Sequence, residues 1–267
     1  MFSLPLLKRT IRSNYIVFLI FAAVITMYFT LIVGMYSPET QETMQKLMAT
    51  MPKEMMSAFG FDFQATTLIG FLASYLYGFI MLIFVMVYGI IVSNRLIAKH
   101  VDRGSMAYFL STPNTRIKIA VTQAAFLLAS VTIMVSYATV LGIICSEATF
   151  PGKLDIPTFV YMNFGVLLLH FALTGIGFFA SCLFNDTKNS LAIGARLPIA
   201  FYIIQMLANT GEKLENFKYA SIFTLFNPND IIAGADGVGI CFTILGSIAV
   251  VLYGAGMWVF HKRDLPL

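Results

Sequence analysis

Charged residues are scarce in this chain of 267 residues. They make up 11% of the sequence, whereas hydrophobic residues make up 58%. This is more apolar surface than a water-soluble domain of this length can bury. The composition therefore excludes an ordinary soluble protein and indicates that lipid is the main solvent.

The apolar residues gather into six runs long enough to cross a bilayer, which takes roughly 20 residues each. We predict an all-α polytopic protein with a single transmembrane domain over residues 1–267. The first run follows three basic residues and imitates a signal peptide, but it is too long and lacks a good cleavage site. The six predicted spans are 15–35, 67–92, 120–145, 158–184, 191–209 and 239–260.

None of the six runs contains an Asp or a Glu. Proton-coupled and many cation-coupled transporters need ionisable groups at membrane depth, and an intramembrane enzyme needs a cluster of catalytic or metal-binding side chains there. The runs offer only His170 and Arg196. We interpret His170 as a neutral, packed residue, with a proton relay as the alternative. Arg196 either snorkels to the inner headgroups or lines the pathway as a gate.

Cysteine and nucleotide-binding motifs are also nearly absent. The three cysteines are widely spaced, so neither a disulfide framework nor a metal site is indicated. No GxxxxGK[ST] phosphate loop is present to bind ATP. We therefore expect no cofactor on this chain, and any pumping would draw its energy from another protein.

The distribution of Lys and Arg predicts the orientation. With residue 1 inside, the inner segments carry eleven of these cations and the longer outer segments carry five. The positive-inside rule then places both termini in the cytoplasm. The net charge of +4 reflects this topology and the anionic inner leaflet, and it is not evidence for nucleic acid.

Two outer segments show helical spacing. Residues 36–66 carry a methionine row that includes Met48 and Met55, which would either touch an apolar substrate or lie on the outer leaflet. In residues 210–238, the spacing of Tyr219, Phe223 and Phe226 predicts one short aromatic-faced helix. This helix would either anchor at the headgroups or gate the outer mouth of a pathway.

The inner segment 93–119 is the longest on its side. Gly104 would break the helix arriving from the membrane, Ser105 could cap a new one, and Pro113 would limit that helix to Met106–Thr112. Its apolar residues, Met106, Tyr108, Phe109 and Leu110, make it too hydrophobic for a solvated connector.

With these motifs in this order, the chain resembles the permease subunits of ATP-binding-cassette (ABC) exporters of the type 2 class. The resemblance covers the whole chain and rests on the basic N-terminal segment, the outer MPKEMMSAFG, the inner DRGSMAYFLSTPNTR and the ending FHKRDLPL. One departure is visible, since such permeases commonly have acidic residues on both sides of this glycine. Here His100 and Ala107 occupy those places, and Asp102 remains.

The resemblance implies that the helix after Gly104 is a coupling helix that docks on a separate cytoplasmic ATPase, which holds the ATP and Mg. It also implies that residues 1–14 form an interfacial elbow and that a second permease subunit, identical or different, pairs around a central pathway. The implied coupling residues are His100, Asp102, Arg103, Gly104, Ser105, Met106, Tyr108, Phe109, Leu110, Pro113 and Arg116.

We thus expect a multi-pass exporter permease in a prokaryotic plasma membrane, surrounded by lipid and without an ATPase site of its own. A carboxylate-free interior rich in Phe and Met favours a hydrophobic or amphipathic cargo, such as a peptide or a drug. The alternative is a membrane channel, or a sensor or immunity protein, that does not pump.

Overall fold

The computed structural model describes residues 2–37, 58, 67–111, 115–210 and 212–264. All regular structure in these ranges is helical. A π-helical segment, Ala73–Ile80, joins α2 to α3, and two 3₁₀ segments, Glu212–Ala220 and Ile222–Leu225, lie between α8 and α9. The α-helices in chain order are α1 (Leu4–Gly34), α2 (Leu68–Leu72), α3 (Met81–Leu96), α4 (Ala98–Asp102), α5 (Met106–Leu110), α6 (Arg116–Thr149), α7 (Ile156–Leu183), α8 (Thr187–Asn209), α9 (Pro228–Ile232) and α10 (Val238–Lys262).

Within the described ranges, six helical stretches are long and apolar enough to cross a membrane, which confirms the predicted fold class. They are α1, the continuous run from α2 to α4, α6, α7, α8 and α10. The run with the fewest apolar residues, α8, continues through Pro198 without a break. A membrane helix tolerates such a proline where neighbouring helices support the backbone.

The helix starts follow local sequence signals. Side chains of Thr67, Thr115, Asp155 and Asp186 accept hydrogen bonds from the first-turn amides of α2, α6, α7 and α8. Each cap satisfies one of the amides that a helix N-terminus otherwise leaves unpaired. These polar caps fix where each apolar run turns into a span.

The fourth span, α7, forms the centre of the bundle. It packs against α10, α3, α8 and α6, and it is the most buried of the spans. Small residues permit this, because Gly177 of α7 lies directly against Ser93 of α3 and Gly194 of α8. Close backbone approach through small residues is a common way for membrane helices to associate.

A side chain at Gly177 is expected to destabilise the bundle. A Cβ atom there would overlap the Ser93 hydroxyl, so Gly177→Val should cost about 1–3 kcal/mol by overpacking. Thermal unfolding in detergent measures the loss. The matched control is Gly246→Val on α10, where a Cβ meets nothing within 4 Å. Equal melting temperatures for the two variants would contradict this packing.

Both termini lie on one face of the bundle, beside the start of α6. The Ser3 amide donates to Thr122 Oγ1 at 3.1 Å, and Arg116 Nη1 donates to the Arg263 carbonyl at 2.6 Å. We call this side the terminal face and the other side the opposite face.

The N-terminal segment is not a separate helix. Residues 4–34 form one α-helix without interruption, so the boundary predicted near residue 14 is not a helix boundary. A helix of 31 residues is about 46 Å long, which exceeds the ~30 Å hydrocarbon core. Its first turns, with exposed Lys8, Arg9 and Arg12, therefore extend beyond the core at the terminal face.

The single aromatic-faced helix predicted around Tyr219 is wrong. The chain forms two 3₁₀ segments that are separated at Ser221, whose hydroxyl donates to the Phe201 carbonyl at 2.8 Å. This hydrogen bond ties the turn to α8 and interrupts the helical spacing. Tyr219 is 81% exposed, whereas Phe223 and Phe226 are buried.

Candidate functional site

The terminal face carries a pair of short helices, α4 and α5. Gly104 joins them with φ +66°, a left-handed conformation that glycine adopts without a steric penalty. The start of α5 at Met106 matches the sequence prediction, and the helix ends at Leu110. Pro113 lies outside the described residues.

The helix α5 is anchored on one side and free on the other. Met106 is fully buried and Phe109 is 9% exposed, whereas Tyr108 is 78% exposed. Arg9 of α1 lies over the Phe109 ring, with its guanidinium carbon 5.1 Å from the ring centroid. The buried side anchors the helix, so its free side presents Tyr108, and Arg103 and Gly104 in the preceding turn are exposed as well.

Ser105 does not cap α5 as predicted. Its hydroxyl donates backwards to the His100 carbonyl at 3.2 Å and lies 3.1 Å from His100 Nδ1, and no cap hydrogen bond forms. The His100 ring also packs edge-on against Phe109, with centroids 4.9 Å apart. His100 thus occupies the inner side of the turn and braces α4 against α5.

Asp102 connects this helix pair to α8. Its Oδ2 accepts a hydrogen bond from Thr187 Oγ1 at 2.6 Å, and Thr187 is the first residue of α8. Thr187 was not among the predicted coupling residues. The sequence signal that could have drawn attention to Thr187 is its position directly after Asp186, a residue type that often caps the start of a helix.

The N-cap of α8 depends on charge. Asp186 accepts from the Asn189 amide at 2.7 Å and from Asn189 Nδ2 at 2.9 Å, and the hydrogen bond from the Asn189 amide is the main cause that lowers the Asp186 pKa. A lowered folded-state pKa means that the cap stabilises α8 above the ordinary pKa of aspartate, about 3.9. The stabilisation is lost as the pH falls through the folded-state pKa.

We expect acidification to loosen the first turn of α8 in the wild type. Hydrogen exchange of the Asn189 amide should accelerate, relative to its intrinsic rate, below about pH 4. In Asp186→Asn the cap persists without a carboxylate, so the protection should not change with pH. Equal pH profiles for the two proteins would contradict the assigned cause.

Arg116 is engaged with the bundle itself. Besides its bond to the Arg263 carbonyl, it is the first residue of α6. It therefore connects the end of α10 to the start of α6. Its predicted contact with an ATPase stays a prediction.

His170 is fully buried in α7. Its Nε2 lies 3.1 Å from the Met81 carbonyl, which can only accept, so Nε2 carries the proton in this contact. Nδ1 has no hydrogen-bond partner among the described residues. This geometry favours a packed histidine over a relay, which would need an onward partner.

Arg196 lies on the outward side of α8. It is exposed between the exposed residues Leu191, Ile193 and Leu197, and no ion pair holds it within the described part of the chain. Both the headgroup and the pathway interpretation place it on such a surface.

The opposite face contains a cavity of about 570 Å³. The π-helical segment and the end of α8 form two walls, and the second 3₁₀ segment and α9 form the others. Phe223 and Phe226, the predicted gate residues, both line it. The Tyr202 ring of α8 packs edge-on against Phe223 with centroids 5.3 Å apart.

Several lining residues were absent from the sequence prediction. Tyr77, Tyr202, Gln205 and Asn209 lie within apolar runs, where polar atoms carry no periodic signal of their own. The predicted methionines Met48 and Met55 lie outside the described residues. Ala58, which precedes the second span, also borders the cavity.

Other kinds of site are not evident in the part of the chain that the structure describes. No group of three or more His, Cys, Asp or Glu side chains that could hold a metal occurs there. The three cysteines are unpaired, with Cys182 buried and Cys145 and Cys241 half-buried.

Comparison with known proteins returns one family. The model of the ABC-2 family transporter proteins matches residues 7–265, which is nearly the whole chain. No curated protein and no solved structure matches the sequence. The six spans and this match together support a permease subunit. The chain belongs to the ABC-2 family of transporter proteins.

Proposed function

We propose that this protein is the permease subunit of an exporter driven by a separate ABC ATPase that docks on α4 and α5. The observation that carries the proposal is the geometry of α5, with Met106 and Phe109 buried and Tyr108 exposed. An exposed aromatic residue on a helix held firmly by its other side suits insertion into a groove on a partner. The terminal face would then be cytoplasmic, as its excess of Lys and Arg indicates.

The proposed pathway runs along the side of the bundle where α1 and α8 flank α3. No residue of α3 is fully exposed, yet Ile83, Val87 and Asn94 are half-exposed. This stripe would form the floor of the pathway, which a second permease subunit would close. The cavity at the opposite face would form the outer end of the pathway.

The proposed cargo is hydrophobic or amphipathic. The half-exposed residues of α3 from Ile83 to Ile91 are all apolar, with Asn94 and Arg95 following towards the terminal face. Acidic residues are absent from the six apolar runs of the sequence. A bare metal ion would find no carboxylate ligands along such a surface. An apolar molecule would find a surface that resembles lipid.

The test is co-purification with a candidate ABC ATPase expressed together with this chain, followed by ATP hydrolysis in lipid nanodiscs. The proposal predicts a stable complex whose ATP hydrolysis rises with an amphipathic cargo. Passive flux through the chain alone, with no associating ATPase, would contradict it and favour a channel. Stimulation by a simple cation alone would overturn the assigned cargo.

A further inference from the structure

We propose that the cavity at the opposite face binds the main-chain amides of an uncharged, apolar peptide. This inference rests on the proposed function, because it names the cargo of the outer end of the same pathway. The cavity volume of about 570 Å³ lies in the range of ligand-binding pockets, roughly 300–1,000 Å³.

Carboxamides are the most frequent polar side chains in the cavity lining. Gln205, Asn209, Asn227 and Asn229 all line it. A carboxamide presents a donor and an acceptor side by side in one plane, which matches the donor and acceptor of another amide. Asn209, Asn227 and Asn229 are exposed, although Asn227 Oδ1 already accepts a hydrogen bond from the Asn229 backbone amide as the N-cap of α9.

A hydrogen-bonded chain holds part of this wall in place. Thr224 Oγ1 lies 2.7 Å from Gln205 Oε1, and Gln205 Nε2 donates to Asn209 Oδ1 at 3.1 Å. Within the described part of the protein, the Asn209 amide nitrogen makes no hydrogen bond as a donor. A preorganised donor facing the cavity can bind a peptide carbonyl at low entropic cost.

The charge of the lining argues against an ionic ligand. Among the described residues that line it, the formal charges are those of Lys218 and Asp230, which are opposite in sign. An anionic or a cationic cargo would therefore gain little net attraction. A neutral ligand that both donates and accepts hydrogen bonds fits this balance better.

The apolar wall favours peptide side chains over sugar rings. Phe223 and Phe226 are only 2% and 5% exposed, so neither offers an open aromatic face for a sugar to stack on. Met206 lines the same cavity, and methionine adapts its shape to varied apolar groups. Met206 can therefore contact the apolar side chains of a leucine- or alanine-rich peptide, while the two buried phenylalanines pack within the wall.

The experiment measures binding to the purified chain in nanodiscs, without the ATPase. The probe is a fluorescent peptide of leucine and alanine that is acetylated and amidated at its ends. Its comparator is the same peptide with each amide replaced by a trans-alkene, which keeps the shape and apolar surface and removes both the carbonyl acceptors and the N–H donors. Each hydrogen bond contributes about 1 kcal/mol, or roughly fivefold in affinity, so we expect the unmodified peptide to bind at least about fivefold tighter.

The variants Gln205→Leu and Asn209→Leu should reduce this preference to about twofold or less. The isosteric Asn209→Asp, which keeps the size of the side chain but replaces the amide donor, should also reduce it. The control is Thr210→Val, since the Thr210 hydroxyl donates to the Met206 carbonyl of its own helix and does not line the cavity. This variant should retain the full preference.

Failure of this inference differs from failure of the proposed function. Equal binding of the two peptides, no binding of either, or a preference that survives in all three cavity variants would overturn the peptide site. The ATPase complex could still form in each of these cases. A chain that distinguishes the peptides but binds no ATPase would support the site and contradict the proposed function.

Discussion

Replacing Gly104 by proline is expected to abolish stable association with the ATPase. Gly104 has φ +66°, whereas proline fixes φ near −65°. Proline would also remove the Gly104 amide, which donates to the Val101 carbonyl at 2.9 Å. The turn must therefore rebuild, and Tyr108 would lose its orientation relative to the bundle.

We expect the affinity for the ATPase to fall by about a hundredfold or more, because strain of about 1–3 kcal/mol adds to a lost hydrogen bond and a displaced anchor. Co-purification from membranes and titration in nanodiscs measure this. Arg103→Glu should have a smaller effect that grows at low salt, as expected for an exposed charge at the rim of an interface.

The matched control for Gly104→Pro is Gly152→Pro. Gly152 has φ +71°, and a Cβ there also meets nothing within 4 Å, but it lies in the turn between α6 and α7 on the opposite face. The backbone strain that proline introduces is therefore similar at the two positions. Gly152, however, lies at the other end of the bundle from the proposed docking site. If both variants lost the ATPase equally, general destabilisation would explain the result and the docking role of Gly104 would be wrong.

Removing the Thr187 hydroxyl is expected to uncouple ATP hydrolysis from the pathway while the complex still forms. The bond from Thr187 to Asp102 is the direct polar link between the helix pair and α8. With 23 residues, α8 spans about 35 Å, and its far end carries Gln205 and Asn209 in the wall of the outer cavity. A displacement of α4 would reach the cavity through this helix.

In Thr187→Val we expect cargo-stimulated ATP hydrolysis to fall about fivefold to tenfold, the range for one hydrogen bond to a carboxylate of about 1–1.5 kcal/mol at an exposed site. The affinity for the ATPase should change by less than about twofold, because Tyr108 and Met106 are untouched. Thr187→Ser keeps the hydroxyl and should retain the stimulation.

A double-mutant cycle with Asp102→Asn decides whether the two residues act together. If they do, the double variant should be no worse than Thr187→Val alone. Additive losses, or normal stimulation in Thr187→Val, would show that the link does not transmit motion.

The architecture was largely predictable from the sequence because it depends on composition. Six carboxylate-free runs fix six spans, and the charges outside them are uneven enough to indicate an orientation. The short helix after Gly104 was also predictable, since a glycine in a basic loop followed by apolar residues breaks one helix and begins another. The family of the chain was suggested by the order of several motifs, each weak alone. The match over residues 7–265 confirms it.

The remaining details depend on contacts between distant residues. Serine is a residue type that often caps a helix, but the Ser105 hydroxyl instead donates to the His100 carbonyl and lies beside the His100 ring. The spacing of Tyr219, Phe223 and Phe226 suits an α-helix, but Ser221 binds the Phe201 carbonyl and divides the segment. Neither partner is visible in a local pattern, since each bond depends on how the chain folds.

The cavity and the π-helical segment were not predicted for a related reason. Polar residues such as Gln205 and Asn209 form a wall only when α8 packs beside the 3₁₀ segments. In the sequence, Gln205 and Asn209 are isolated polar residues within an apolar run. Tertiary packing, and not helix periodicity, determines where the lining residues converge.

The most direct test of the account compares two exposed tyrosines on the two faces of the bundle. Tyr108 is 78% exposed on α5 and Tyr219 is 81% exposed at the opposite face. A photo-crosslinking amino acid at each position, in the complex with the ATPase, reports which face the ATPase contacts. We predict efficient crosslinking from position 108 and none from position 219. Crosslinking from position 219, or none from position 108 in an intact complex, would contradict the docking of the ATPase on α5.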